Sequence, residues 1–301
     1  MMAVDPLVAA SVRTTVPLLL AAGGELLSER AGILNIGLEG AVIAGALAAT
    51  LGVGPWGLAG GYAAALCAGA AVGLLMALFV VVVRADQILT GTAATLLAFG
   101  VTGAVYRGVY GATGVALTLP TSAPFRIPVL AAIPGVGSAL FDQPAVFYLA
   151  YLLVPILWWF LYRTQVGLAL RAVGESPAAA GAAGVAAGPL RAAAVTVGSA
   201  LGGLAGGVLV LAQAGTFAEG MSAGRGFIAI AIVVLGRWTP LGIMIGALVF
   251  GVATAMQYVV QAMGWPIRYE LVLMLPYLLT LLALMFSPRG VAPAMLARSD
   301  V

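Results

Sequence analysis

The chain has no lysine, no histidine, one cysteine and only 8% charged residues, set against 63% hydrophobic ones. Each shortage closes a set of functions. Without lysine there can be no Gly-x-x-x-x-Gly-Lys-Ser/Thr loop, so the chain cannot hydrolyse ATP by that route. Without histidine there is no Ser/His/Asp set, and the ten acidic residues are scattered along the chain, which leaves no group poised for acid–base or nucleophilic catalysis. A single cysteine excludes an internal disulfide and a cysteine-based metal site; Cys67 sits in an apolar run and is expected to be a small packing residue. The net charge of +3 comes from arginines distributed among loops, which is not the footprint of a nucleic-acid-binding surface. No metal and no cofactor is expected.

What remains is a chain built for a bilayer. A mean hydropathy of +1.14 over 301 residues marks an integral membrane protein, and no polar stretch is large enough to fold separately, so residues 1–301 read as one transmembrane domain. Windows of about 20 residues, the length that crosses hydrocarbon as a helix, place spans near 7–27, 33–53, 57–83, 88–109, 144–162, 189–212, 224–237, 241–263 and 270–286. The fold class is therefore all-α: a polytopic helical bundle of about 8–10 spans, some broken or re-entrant. The seventh span is too short to cross and is expected to be such a piece. The first segment lacks a preceding basic cluster and is expected to stay as a membrane helix. Arginine-rich, lysine-free usage with abundant Ala and Gly fits a GC-rich bacterial gene, hence a multi-pass protein of the cytoplasmic (inner) membrane.

Four stretches interrupt the apolar pattern. Residues 164–184, TQVGLALRAVGESPAAAGAAG, lie between two apolar runs, and Arg163, Arg171 and Arg191 put them on the cytoplasmic side by the positive-inside bias. The same count leaves Arg84, Asp86 and Arg237 inside, Arg268 outside, and the tail with Arg289 and Arg298 inside. Gly167 to Val173 can form a short helix that Gly174 can end, and Pro177 can start another. The second stretch, Glu29-Arg30-Ala31-Gly32-Ile33-Leu34-Asn35-Ile36-Gly37-Leu38-Glu39-Gly40, sets charged groups at the start of a span, where each costs a few kcal/mol unless it faces a cavity or a partner. Asn35 and Glu39, four apart, would share a helix face, either as part of a polar pathway or as structural glue. The third runs from Gly224 to Pro240: Gly226 and Gly236 bracket an apolar segment that includes Phe227, and Arg237 and Trp238 fit an interfacial anchor. The fourth, Gln87 to Thr95, brings Thr90 and Gly91 to the beginning of a span with hydroxyl and small-residue character. Residues 110–143 carry too many prolines for a span and are expected to be an external loop, either a contact for another protein or a lid over the outer mouth.

These motifs resemble the permease subunits of ATP-binding-cassette importers, in the family serving branched-chain amino acids, simple sugars and nucleosides. Residues 164–188 resemble its cytoplasmic coupling loop, 29–40 resemble the ERxGxxNxGxEG signature of its nucleoside branch, and 224–240 resemble its GxGFxAIAVxLLGxxxP segment. The family's NxIITG-like sequence is echoed at 86–91, with Asp86-Gln87 where an asparagine is usual. The resemblance implies nucleoside import, with simple sugars or branched-chain amino acids as alternatives; an ion-coupled secondary carrier is the rival from another class. It implies partners: a cytoplasmic ATPase that docks at Arg171, Gly174, Glu175, Ala179, Ala180 and Gly184, an external solute-binding protein, and a second, paralogous permease in a heterodimer, because this chain is similar to the shorter of the two nucleoside permeases. Asn35, Glu39, Thr90, Gly91 and Phe227 are the residues it implies for the translocation pathway.

Overall fold

The computed structural model describes residues 4–111, 117–131, 133, 137–263, 271–272, 274–285 and 292–296. Helix α1 (Val4–Arg30) leads into a non-helical stretch and then α2 (Leu38–Ala77), which continues through a π-helical turn at Leu78–Val82. Helix α3 (Gln87–Tyr110) follows, begun by Asp86, whose carboxylate accepts the Ile88 and Leu89 amides at 2.9 and 2.8 Å. A strand pair, β1 (Pro124–Arg126) and β2 (Asp142–Pro144), brackets two short helices, α4 (Pro128–Ala131) and α5 (Gly137–Phe141). Then come α6 (Ala145–Arg163), α7 (Gln165–Glu175), α8 (Pro177–Ala182) and α9 (Ala187–Val208), the last with its own π-helical turn at Leu209–Ala214. Helices α10 (Arg225–Leu235), α11 (Pro240–Ala262) and α12 (Leu275–Met285) complete the described elements.

Six of these helices are long and apolar enough to cross a membrane, so the protein is a multi-pass helical membrane protein, as expected. One of the six, α2 with its π turn, is 45 residues long and doubles back at Gly57 (φ +65°, ψ −170°), giving the two spans expected at 33–53 and 57–83. A side chain there would be strained by the positive φ. Helix α10 has 11 residues and so reaches about 16 Å, roughly half the hydrocarbon thickness. The short seventh span is thus a half-membrane helix. Arg268, Arg289 and Arg298, used above to orient the loops, and all of residues 264–270 lie outside the described residues.

Helix α9 lies at the centre, between the two limbs of α2. Gly198, Gly202 and Gly206, each four residues from the next, share one stripe and face α1 and the first limb; Gly203 and Gly207 face the second limb. Methyl groups at Gly203 and Gly206 would collide with the carbonyl oxygens of Ala65 and Val42, so these backbones touch without side chains between them. The most apolar windows of α1 and α9 are 67% and 78% buried, against 33% for α3 and α6, whose outer faces carry Leu89, Leu96, Leu97, Trp158 and Trp159 toward lipid or another subunit. Cys67 departs from expectation: it is exposed, on the outward side of the second limb of α2, while the neighbouring Ala65 and Gly69 take the packing positions.

The segment beyond α3 packs against the bundle. Leu119 donates its amide to the Gly215 carbonyl (2.8 Å), Ser122 to that of Leu211 (2.7 Å), and the Ser122 hydroxyl pairs with Tyr62 (2.7 Å). These contacts lay it over the bend of α2 and the end of α9, away from α7 and α8.

Candidate functional site

Between α1 and α2 the backbone leaves the helix for residues 31–37, although the sequence pattern placed a span start at 33. The reason is a change of acceptors. Gly32 takes φ +80°, and the amides that a continuing helix would bond to itself are taken by side chains instead: Leu34 donates to Gln87 Oε1 (2.9 Å) and Asn35 to Glu25 Oε1 (3.0 Å). Asn35 therefore stands in the break and not on a helix, so the shared face with Glu39 does not form. Its amide group reaches α9, donating to Ser199 Oγ at 2.8 Å. Helix α3 cradles the break along one stripe: Gln87, Gly91 and Thr95 are four residues apart. Gln87 takes the Leu34 amide, Gly91 leaves room for Ile36, and Thr95 donates to the Ile36 carbonyl at 3.1 Å.

Glu39, in the first turn of α2, meets the start of α10. Its two carboxylate oxygens accept the amides of Gly224 (2.9 Å) and Gly226 (2.7 Å), so a carboxylate caps the positive end of a half-membrane helix. Gly226 is required there, since a side chain would overlap the Glu39 backbone. The other end of α10 is tied to α1. Glu29 accepts the indole N–H of Trp238, and Arg30 donates to the Trp238 carbonyl, from Nε at 2.9 Å. Trp238 is buried (3% exposed) and cannot be an interfacial anchor; Arg237 is exposed beside it. Both residues have positive φ, a conformation that directs the indole inward toward Glu29 while the chain turns into α11.

Glu25, Glu29 and Asn35 are fully buried and Glu39 is 1% exposed. The Glu25 and Glu29 carboxyls, four residues apart on α1, face each other, and Asn35 Oδ1 lacks a hydrogen-bond partner among the described residues. A buried network that is only partly satisfied is held less firmly than a complete one, and this one sits where the backbone is already interrupted. The other expected pathway residues lie apart from it. Thr90 is half-buried beside a cavity of about 500 Å³ lined by Leu75, Phe79 and Leu97, and Phe227 is 48% exposed on α10.

Residues 164–184 form the helix pair read from the sequence. Thr164 caps α7 through the Gly167 amide (3.0 Å), and Ser176 ends α7 and caps α8 through the Ala179 amide (3.2 Å), with Pro177 in its first turn. Gly174 is one residue short of the end of α7, which Ser176 caps; it is buried, and its lack of a side chain allows α7 to sit on the Arg30 carbonyl oxygen and beside Gly32. Arg171 stacks over Tyr162, 4.9 Å from the ring centroid. Glu175 and Ala179 are exposed, Ala180 is buried, and Gly184 (φ +82°) projects freely. Arg191 was read as an edge of the loop; it is buried in α9 and donates to the Ala31 carbonyl at 3.1 Å. The helix pair and the break therefore share a boundary at Arg30–Gly32.

Ser199 and Glu25 carry no local motif, and only the fold brings them to Asn35. Glu29 and Trp238 were visible as residues, but their pairing across 209 positions was not.

A half-membrane helix, a broken span and a pair of short helices lying against it define a membrane permease. The chain belongs to the permease component family of the branched-chain amino acid transport system, whose family model matches residues 7–284. It is 36% identical to the guanosine ABC transporter permease protein NupQ of Bacillus subtilis, over 95% of this chain and 93% of that protein. It is 32% identical to the nucleoside ABC transporter permease protein NupC of Lactococcus lactis (92% and 90%) and 37% identical to a putative glucose ABC transporter permease protein, TsgC13, of Haloferax volcanii (85% and 78%). No solved structure matches the chain.

Proposed function

We propose that this permease imports nucleosides across a bacterial cytoplasmic membrane, driven by a separate ATPase. The observation that carries the reading is the seating of α7 on the end of α1 at Gly174, next to the break whose far side, through Glu39, holds α10. ATP-driven movement of a docked ATPase would push on the helix pair that carries Arg171, Gly174, Glu175, Ala179, Ala180 and Gly184, and the break would transmit that displacement to the half-helix. Asn35, Glu39 and Gly91 hold this gate, while Thr90 and Phe227 lie on outward surfaces that a second permease subunit, a paralogue of this chain, would complete into a pathway. The segment at 110–143 is the surface for an external solute-binding protein.

The charge arrangement supports an uncharged solute. Half-helix N-termini in transporters can receive anionic groups of a substrate, but here Glu39 already occupies that of α10. A branched-chain amino acid, with its free carboxylate, is thereby disfavoured relative to a nucleoside. Simple sugars, also uncharged, are the second reading, favoured by the glucose permease relative. Competition of labelled uridine uptake by adenosine, ribose, glucose and leucine tests this in cells expressing the permease with its ATPase, partner permease and binding protein. Inhibition by adenosine alone supports the proposal; inhibition by glucose or ribose transfers it to sugars, and uptake without ATP that collapses with the proton gradient replaces it with an ion-coupled carrier.

A further inference from the structure

The end of α7 is held by a segment far away in sequence. Residues 292–296 form a turn, closed by the Leu296 amide on the Pro293 carbonyl at 3.1 Å, that lies against the last residues of α7 and beside Gly32. Met295 donates its amide to the Gly174 carbonyl (3.1 Å), and Ala294 donates to Glu175 Oε2 (3.3 Å). Pro293 is buried, and Leu296 packs against the main hydrophobic core. A methyl group at Gly32 would come within 2.9 Å of Met295 Cβ, so the turn, α7 and the start of the break meet at one point.

Each contact answers a need of α7. The last carbonyls of a helix have no partner within it, and Met295 supplies one for Gly174. A carboxylate on the final residue of a helix has the wrong sign for the helix dipole, so Glu175 gains nothing from its own helix. Its bond to a backbone amide outside the helix gives it a role there.

We propose that Glu175 is a positioning residue: by holding the 292–296 turn it keeps α7 seated on α1, so that the helix pair and the break move as one body. This rests on the reading of α7 and α8 as the ATPase-docking element. It differs from a role in which the Glu175 charge meets the ATPase directly, because a neutral acceptor at 175 suffices to hold the turn.

The test uses the complete transporter in lipid vesicles, with solute taken up per ATP hydrolysed as the readout, for Glu175→Ala, Glu175→Gln, Ala294→Pro and the Glu175→Ala/Ala294→Pro pair. Proline at 294 has no N–H to donate. Glu175→Ala and Ala294→Pro are each expected to lower the ratio about tenfold, with the pair no worse than either single change because both remove one bond. Glu175→Gln is expected to restore the ratio to within about twofold of the native value, since its carbonyl oxygen still accepts. A Gln variant as impaired as the Ala variant, or a pair whose losses multiply, overturns the proposal. Hydrogen exchange at the Ala294 and Met295 amides of the isolated permease gives a second readout that needs no ATPase: faster in Glu175→Ala, unchanged in Glu175→Gln. Equal rates in all variants also overturn it. If the native complex takes up solute without ATP, the docking reading fails, and the exchange rates still decide whether Glu175 holds the turn.

Discussion

The seam between α9 and α2 and the break between α1 and α2 lie side by side, yet they are held by opposite means. In the seam, glycine lets backbone meet backbone, as at Gly203 on Ala65 and Gly206 on Val42, and nothing there can be exchanged for an equivalent contact. In the break, backbone amides are held by side chains of Glu25 and Gln87, and the buried Asn35 Oδ1 has no partner among the described residues. The first arrangement has one geometry. The second can trade its bonds for others, and it is the one that touches both the α7–α8 pair and the half-helix α10. A transporter needs both: a fixed frame, and next to it a segment with more than one stable state.

Substitutions should separate the two. The largest effect is expected for Gly203→Leu, which forces a side chain into a backbone contact; overpacking costs about 1–3 kcal/mol even where neighbours can yield, and the Ala65 carbonyl cannot. The permease should fail to accumulate in the membrane, as read by quantitative blotting. Glu39→Ala comes next. It removes two charge-assisted hydrogen bonds of about 1.5–3 kcal/mol each and should abolish uptake while leaving most of the protein inserted, because the frame does not depend on it. Glu29→Ala leaves the buried Trp238 N–H unpaired, at a cost of about 1–3 kcal/mol, and should impair uptake more than Glu29→Gln, whose amide oxygen still accepts. Gln87→Ala removes one neutral bond worth about 1 kcal/mol and should reduce uptake by only several-fold. If Gly203→Leu were tolerated and Gln87→Ala prevented insertion, the division into frame and moving segment would be inverted.

The sequence exposed the frame better than the moving segment. Long apolar runs and the length needed to cross a bilayer placed the spans, and the short run at 224–237 revealed the half-helix, because hydropathy is a local property. Pro177 marked the start of α8 for the same reason. What failed depended on partners distant in the chain. Asn35 fits a helix by its neighbours and leaves it because Glu25 and Gln87 capture the amides of the break. Gly174 stands one residue before the end of α7, where it was read as a terminator, and its contact with Arg30 had no signal in the sequence. Trp238 beside Arg237 has the composition of an interfacial anchor, and only the approach of Glu29 explains why the indole is inside. The turn at 292–296 had no signal, since its function is to supply backbone amides.

The central claim, that the break moves and the seam does not, can be tested with single cysteines in a Cys67→Ala background. A cysteine at Leu34 keeps the backbone bond to Gln87 and sits in the break, and one at Ala46 sits in the seam, on the first limb of α2. Reaction of each with a water-soluble thiol reagent would be followed in the assembled transporter, with and without ATP trapped in its ATPase. The account predicts that the rate at position 34 changes about tenfold or more between the two states, the response to a shift of about 1.4 kcal/mol in the population of the open form, while position 46 stays protected in both. Equal rates at position 34 in the two states, or a change at position 46 as large as that at 34, would contradict it.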